Sequence, residues 1–224
     1  MMQRLPRWVE LGGCLLAMNA GFVNAVGVLG FRHQAVSHLT GISTFFSIEI
    51  MQGDILQVLH LLCVMLFFVL GAIISGMVIG HEALKLGRQY HLALWIEAGL
   101  LTAAVVLLNQ GWLSGQWLAS AACGLQNAMT STFSGAVVRT THVSGLFTDI
   151  GIAFGLRLRG QTVDKRRLTL YLILIGGFVT GGVLGAYAFT HQQFNALWWP
   201  VCHLIALSVL YFGIGRRARQ SMDV

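Results

Sequence analysis

Charge is what this chain has least of: Asp, Glu, Lys and Arg together make up 10% of its 224 residues, where a soluble domain carries about 25%. With 56% of residues hydrophobic, the scarcity points to lipid rather than water as the main solvent. Paired ligand motifs are lacking as well. The four cysteines, Cys14, Cys63, Cys123 and Cys202, each lie in an apolar segment, without a CxxC pair or the His/Cys spacing of a zinc site. They read as small buried hydrophobes, and no disulfide, metal or cofactor is expected. No glycine-rich phosphate loop is present to let a nucleotide drive the protein. "HEALK" (81–85) has the His-Glu of a zinc protease but lacks the second histidine, and the Ser-Gly at Ser144 is too short a match to assign an intramembrane hydrolase. The chain is therefore not expected to be an enzyme. Its formal charge of +6 raises nucleic acid as a partner, yet the basic residues are scattered through short loops with no nucleic-acid-binding motif.

What the sequence does have is long apolar runs. About 20 helical residues rising ~1.5 Å each cross a hydrocarbon core about 30 Å thick. Runs of that kind fall at about 9–31, 56–80, 91–108, 112–138, 168–189 and 196–214. Two shorter segments remain, 36–50 and 143–156. The run 56–80 is one continuous apolar block, unlike the short alternating strands of an outer-membrane barrel. The fold class expected is an all-α membrane protein with six transmembrane helices and two short broken or re-entrant helical segments.

The halves echo each other. GFVNA (21–25) matches GLQNA (124–128) at an offset of 103, SHLTG (37–41) matches THVSG (141–145) at 104, and GAIISGMVIG (71–80) matches GGFVTGGVLG (176–185) at 105. One membrane domain thus divides into a first repeat, 1–108, and a second, 109–224. Because the segment after Arg4 and Arg7 has a partner in the second half, it is read as part of the mature chain and not as a signal peptide. If both short segments leave the membrane on the side they enter, Lys and Arg divide 13 to 1 between the faces; if they cross, 10 to 4. Cytoplasmic loops are enriched in Lys and Arg, which favours six spans with both termini cytoplasmic. Three spans per repeat is odd, so the repeats would be inverted, a plan common among transporters.

The paired motifs supply the candidate site. Ser37, Thr40, Thr141 and Ser144 are hydroxyl residues able to cap exposed helix N–H groups. Gly41 and Gly145 allow a tight turn or a close approach. His38 and His142 add donors that titrate near neutral pH. Two half-helix N-termini facing one cavity would suit a small polar or anionic solute. The same residues could equally do no more than cap two helices. Asn24 and Asn127 read either as interhelical glue or as solute contacts. Glu49, Glu97 and Asp149 lie in apolar segments, where an ionisable group is a functional candidate; they are the proton-coupling candidates, with Arg139 available to pair with Asp149. Gly76 and Gly80, and Gly177, Gly181 and Gly185, have the spacing of close helix contacts, within the chain or across a homodimer. Trp112, Trp117, Trp198 and Trp199 read as interfacial anchors, and His60 and His203 as satisfied core histidines.

The set GFVNA, SHLTG, GLQNA, THVSG and TDIG resembles the YoaK-type family of bacterial integral membrane proteins, a domain of unknown function. The second block, 124–151, carries the more specific match, while Asn24, Leu39 and Ile42 depart from the family's first-block pattern. The resemblance implies a multi-pass protein of the bacterial inner membrane and brings no substrate. The leading expectation is a small secondary transporter or channel-like permease, with proton coupling as a sub-hypothesis. The alternative is a non-transporting scaffold that binds a partner.

Overall fold

The computed structural model describes residues 7–31, 36–80, 88–134 and 140–220. The HEALK run and the basic residues Arg4, Arg32, Lys85 and Arg139 lie outside the described residues. The elements are α1 (Arg7–Gly30), α2 (Leu39–Gln52), α3 (Ile55–Ile79), α4 (Arg88–Asn109), α5 (Ser114–Ser134), α6 (Val143–Leu158), α7 (Lys165–Gln192), a 3-10 turn (Gln193–Leu197) and α8 (Trp198–Gln220). The described residues contain no strand. Among the described residues four helical stretches are long and apolar enough to cross a membrane: Glu10–Gly30, Ile55–Ile79, Gln89–Asn109 and Lys165–Phe212, the last running through α7, the turn and α8. Helix α5 is not among them, because it turns Gln116, Ser120, Gln126 and Thr130 into the protein interior.

Local chemistry fixes the helix ends. Gly53 stops α2 in the left-handed region (φ 78°), its N–H closing on the Glu49 and Ile50 carbonyls. Asp54 then caps α3 by accepting from the Gln57 N–H at 3.0 Å. Asp164 caps α7 by accepting from the Arg166 and Arg167 N–H groups at 3.0 and 3.3 Å.

The halves pack through each other. Helix α1 lies along α7, α3 lies along α5, and α4 contacts both α5 and α8. A Cβ on Gly21 would fall 2.0 Å from the Phe178 carbonyl oxygen, and one on Gly124 would fall 2.0 Å from the Phe68 carbonyl oxygen. The pairs are equivalent, so Phe68 corresponds to Phe178 and Asp54 to Asp164, an offset of 110. This corrects the offset of 105 expected for the third block: FVLG (68–71) aligns with FVTG (178–181). The reason is an insertion ahead of the block. Helix α6 has 16 residues against 14 in α2, and it reaches α7 through 159–164 where α2 reaches α3 through 53–54.

Gly177, Gly181 and Gly185 are spent within the chain, on the backbones of Cys14, Met18 and Phe22 in turn, so α1 and α7 run parallel; a Cβ on Gly76 or Gly80 would meet nothing within 4 Å. Helices α4 and α8 are antiparallel, with Tyr90 beside Tyr211 at one end and Asn109 donating to Asn195 Oδ1 at 2.8 Å at the other. The main core lies among α1, α4, α5 and α8, where Leu101, Leu125 and Leu204 are fully buried. Two satellite clusters seat the short helices: Ile42 of α2 packs with Leu61 and Val64 of α3, and Leu146 of α6 packs with Leu170, Tyr171 and Leu174 of α7.

Candidate functional site

The two quoted motifs form one device, built twice. Ser37 donates its hydroxyl to Asn24 Oδ1 at 2.9 Å, and Thr141 donates to Asn127 Oδ1 at 3.0 Å. Asn24 lies six residues before the end of α1 and Asn127 seven before the end of α5, about 9–10.5 Å of helix. After leaving each long helix the chain has therefore doubled back alongside it before the short helix begins. Val36 makes the same point, lying against Gly27, where a Cβ would meet it at 3.3 Å. GFVNA and GLQNA thus have separable parts. The glycine admits a neighbouring backbone, Phe22 and Leu125 enter the core, and the asparagine clasps the returning chain.

The expected hydroxyl caps are corrected. His38 and His142 are themselves the N-cap residues of α2 and α6, and neither makes a side-chain cap hydrogen bond. Ser37 and Thr141 are committed to the asparagines, while Thr40 and Ser144 lie inside the first turn and are exposed. A helix leaves its first N–H groups without intrahelical partners, so both starts are uncapped by side chains. The imidazoles lie across the first turn: a Cβ on Gly41 would fall 2.3 Å from the His38 ring, and one on Gly145 would fall 2.4 Å from the His142 ring. Glycine at this position is what lets the ring sit there.

Beyond the first turn, the short helices carry hydroxyls whose protons are already used. Ser43 donates to the Leu39 carbonyl, Thr44 to Thr40, Ser47 to Ser43 and Thr148 to Ser144, at 2.8–3.0 Å. This side-chain-to-backbone bonding leaves lone pairs on an outward face. Helix α2 packs on α3 and α6 on α7, and no extended contact joins α2 to α6.

The three acids fall in different places. Glu49 is half-buried in the last turn of α2, away from the motif. Asp149, one turn beyond the second motif, pairs with Arg167 at 3.8 Å, and Arg167 also donates to the Tyr171 hydroxyl. Its counterpart in α2 is Phe45, so this ionic contact exists on one side only. Glu97 is 2% exposed in the middle of α4.

Around Glu97 lies a polar chain that sequence reading missed. Asn19 Nδ2 is 3.5 Å from Glu97 Oε1 and 3.3 Å from Gln126 Oε1. Gln126 Nε2 donates to the Leu16 carbonyl at 2.9 Å and to Thr140 Oγ1 at 3.1 Å. His203 Nδ1 stands 3.4 Å from Asn19 Oδ1. The first-half equivalents of Gln126 and Thr140 are Val23 and Val36, so this chain too has no copy. The signal available was the presence of primary amides, Asn19 and Gln126, in otherwise apolar helices. His60 is a satisfied core residue as expected: Trp117 donates to its Nδ1 at 3.1 Å, and its Nε2 lies 2.8 Å from Gln116 Oε1. Trp117 is thereby an interior partner and not a free interfacial anchor, whereas Trp112 and Trp199 are exposed. Among the described residues no three His, Cys, Asp or Glu side chains converge to hold a metal ion.

The model of the family described as "Protein of unknown function (DUF1275)" matches residues 12–210. The chain belongs to this family, consistent with the YoaK-type resemblance of its motifs. No curated protein and no solved structure matches it.

Proposed function

We propose that this chain is a small secondary transporter or channel-like permease for a small polar or anionic solute, seated in the bacterial inner membrane with both termini cytoplasmic. The observation that carries the reading is the pair of short helices whose N-termini lack side-chain caps. At membrane depth an unmet backbone N–H is expensive and persists where it lines protein or a wet cavity. Two such ends, each carrying partial positive charge, would receive an oxygen-bearing solute. His38 and His142 stand over these ends, with the Thr40 and Ser144 hydroxyls beside them.

The topology that goes with this function has six spans, α1, α3, α4, α5, α7 and α8, with α2 and α6 entering and leaving on one face each. Its supports are the 13-to-1 split of Lys and Arg in the sequence and the doubling back at Ser37 and Thr141. Short length is a further support. Helices of 14 and 16 residues reach only about 21–24 Å, less than a ~30 Å hydrocarbon core. The repeats are then inverted, with the first helix of each half laid along the third of the other. Proton coupling is part of the proposal, through Asp149 or Glu97, with Glu49 as the remaining acid.

The rival reading, a non-transporting scaffold, draws support from the satisfied Asn24 and Asn127 clasps. Two measurements separate the readings. Cysteines introduced at Thr40 and Ser144, in a background without the native cysteines, are expected to react with a membrane-impermeant thiol reagent. Reconstituted protein is expected to pass small anions or polar solutes, with flux falling on His142→Ala. Silence of both cysteines together with no flux across a solute panel rejects the permease.

A further inference from the structure

Among the described residues, the Glu97 carboxyl is unfinished in a way no other acid is. Its Oε2 is buried and has no hydrogen-bond partner, and its Oε1 has only the 3.5 Å contact with Asn19. Buried polar atoms are nearly always partnered, and an unmet one carries its full desolvation penalty. A buried carboxylate without a cation carries a larger one. The titratable group against it from α5 is Cys123. From α8, His203 approaches through Asn19, and α1 brings only the Asn19 amide. No Lys or Arg pairs with it among the described residues.

One nitrogen, Asn19 Nδ2, is shared by two acceptors, Glu97 at 3.5 Å and Gln126 at 3.3 Å, both long, so tightening one contact loosens the other. Ionised, Glu97 draws that amide toward itself, because hydrogen bonds to a charged acceptor are about twice as strong as neutral ones. Protonated on Oε2, it releases the amide to Gln126. Gln126 in turn holds Thr140, the residue before the Thr141 clasp. From this geometry we infer that Glu97 takes up a proton from solvent, and that its charge state is transmitted along Asn19, Gln126 and Thr140 to the seat of α6 and not to that of α2. The equivalents at α2 are apolar, Val23 and Val36, and Ser120 there merely donates to the Val36 and Val64 carbonyls. The inference rests on the permease reading and names its regulation: the proton acts on one of the two half-helices.

The test uses the full chain in lipid nanodiscs, with labelling at Ser144→Cys and Thr40→Cys in the cysteine-free background and infrared titration of the wild type from about pH 5 to about pH 9. The ratio of the two labelling rates offsets the titration of the introduced thiols, and comparison with Glu97→Gln at each pH removes what remains. A carboxyl band that titrates in the wild type and is missing from Glu97→Gln is expected. The ratio should shift about fivefold or more across the range, the lower end of ordinary coupling between sites, and be flat in Glu97→Gln. Gln126→Leu should keep the titrating band and lose the shift, which protects the test should Glu97→Gln fold poorly. The inference is overturned by a shift that survives either substitution, by a flat ratio in the wild type, or by a band unaffected by Glu97→Gln. If neither cysteine reacts at any pH, this inference is overturned, and with no flux across the solute panel the permease reading is lost as well.

Discussion

Helices α2 and α6 share a clasp and differ in everything behind it. Both begin with a histidine over a glycine, and both are tied by a hydroxyl to an asparagine. Behind α2 stand apolar residues, Val23 and Val36, and a two-residue link to α3. Behind α6 stand Gln126 and Thr140, the Asp149–Arg167 pair and a six-residue link to α7. Between the two halves, the positions held in common are those where backbone meets backbone or backbone must turn. The positions that differ lie one layer out, and there α6 has polar and ionic attachments that α2 lacks.

That contrast can be broken at several depths. The largest effect should follow Gly21→Leu or Gly124→Leu. Each drives a side chain into a neighbouring carbonyl, a cost at or above the about 1–3 kcal/mol of ordinary overpacking. Both should unfold at distinctly lower temperature in detergent, while Gly76→Leu, with nothing within 4 Å, should not. Unequal losses for the first two would undo the equivalence of the halves. Next comes Gln126→Leu, which strands Thr140 and the Leu16 carbonyl; about 1–3 kcal/mol is expected, whereas Val23→Leu should be milder. Asn24→Leu and Asn127→Leu should each cost about 1 kcal/mol by reversible unfolding, in near-equal amounts if the clasps are the same device. The smallest effect belongs to Asp149→Asn. An exposed pair is worth about 0–1 kcal/mol, so in stability the change should register no further than faster proteolysis of the 159–164 link, and high salt should reproduce that in the wild type.

Much of this architecture was legible in the residues. Long apolar runs located the six long helices to within a few residues, since only a helix satisfies a backbone through such a stretch. The short helices followed from the SHLTG and THVSG echoes. The registers were harder. Glycine fills five of the ten positions 176–185, so sliding the third block still superimposes small residues. The carbonyls of Phe68 and Phe178 against Gly124 and Gly21, with the Asp54 and Asp164 caps, fix it. Ser37 and Asn24 were each singled out, yet nothing in their spacing says that one bonds the other, because the return of the chain is a tertiary event. The chain from Glu97 to Thr140 joins α4, α1 and α5, so no local window contains it.

The lengthwise pairing of α1 with α7 also bears on how the protein is made. Gly21 leaves the ribosome well before Phe178, an interval on the order of ten seconds at ordinary elongation rates. Through that interval the face of α1 that receives Phe178 has no neighbour, and Asn19 waits for Glu97 and Gln126, whereas Asn24 gains Ser37 after only 13 residues. Two halves expressed as separate polypeptides would each begin life without the surface they need.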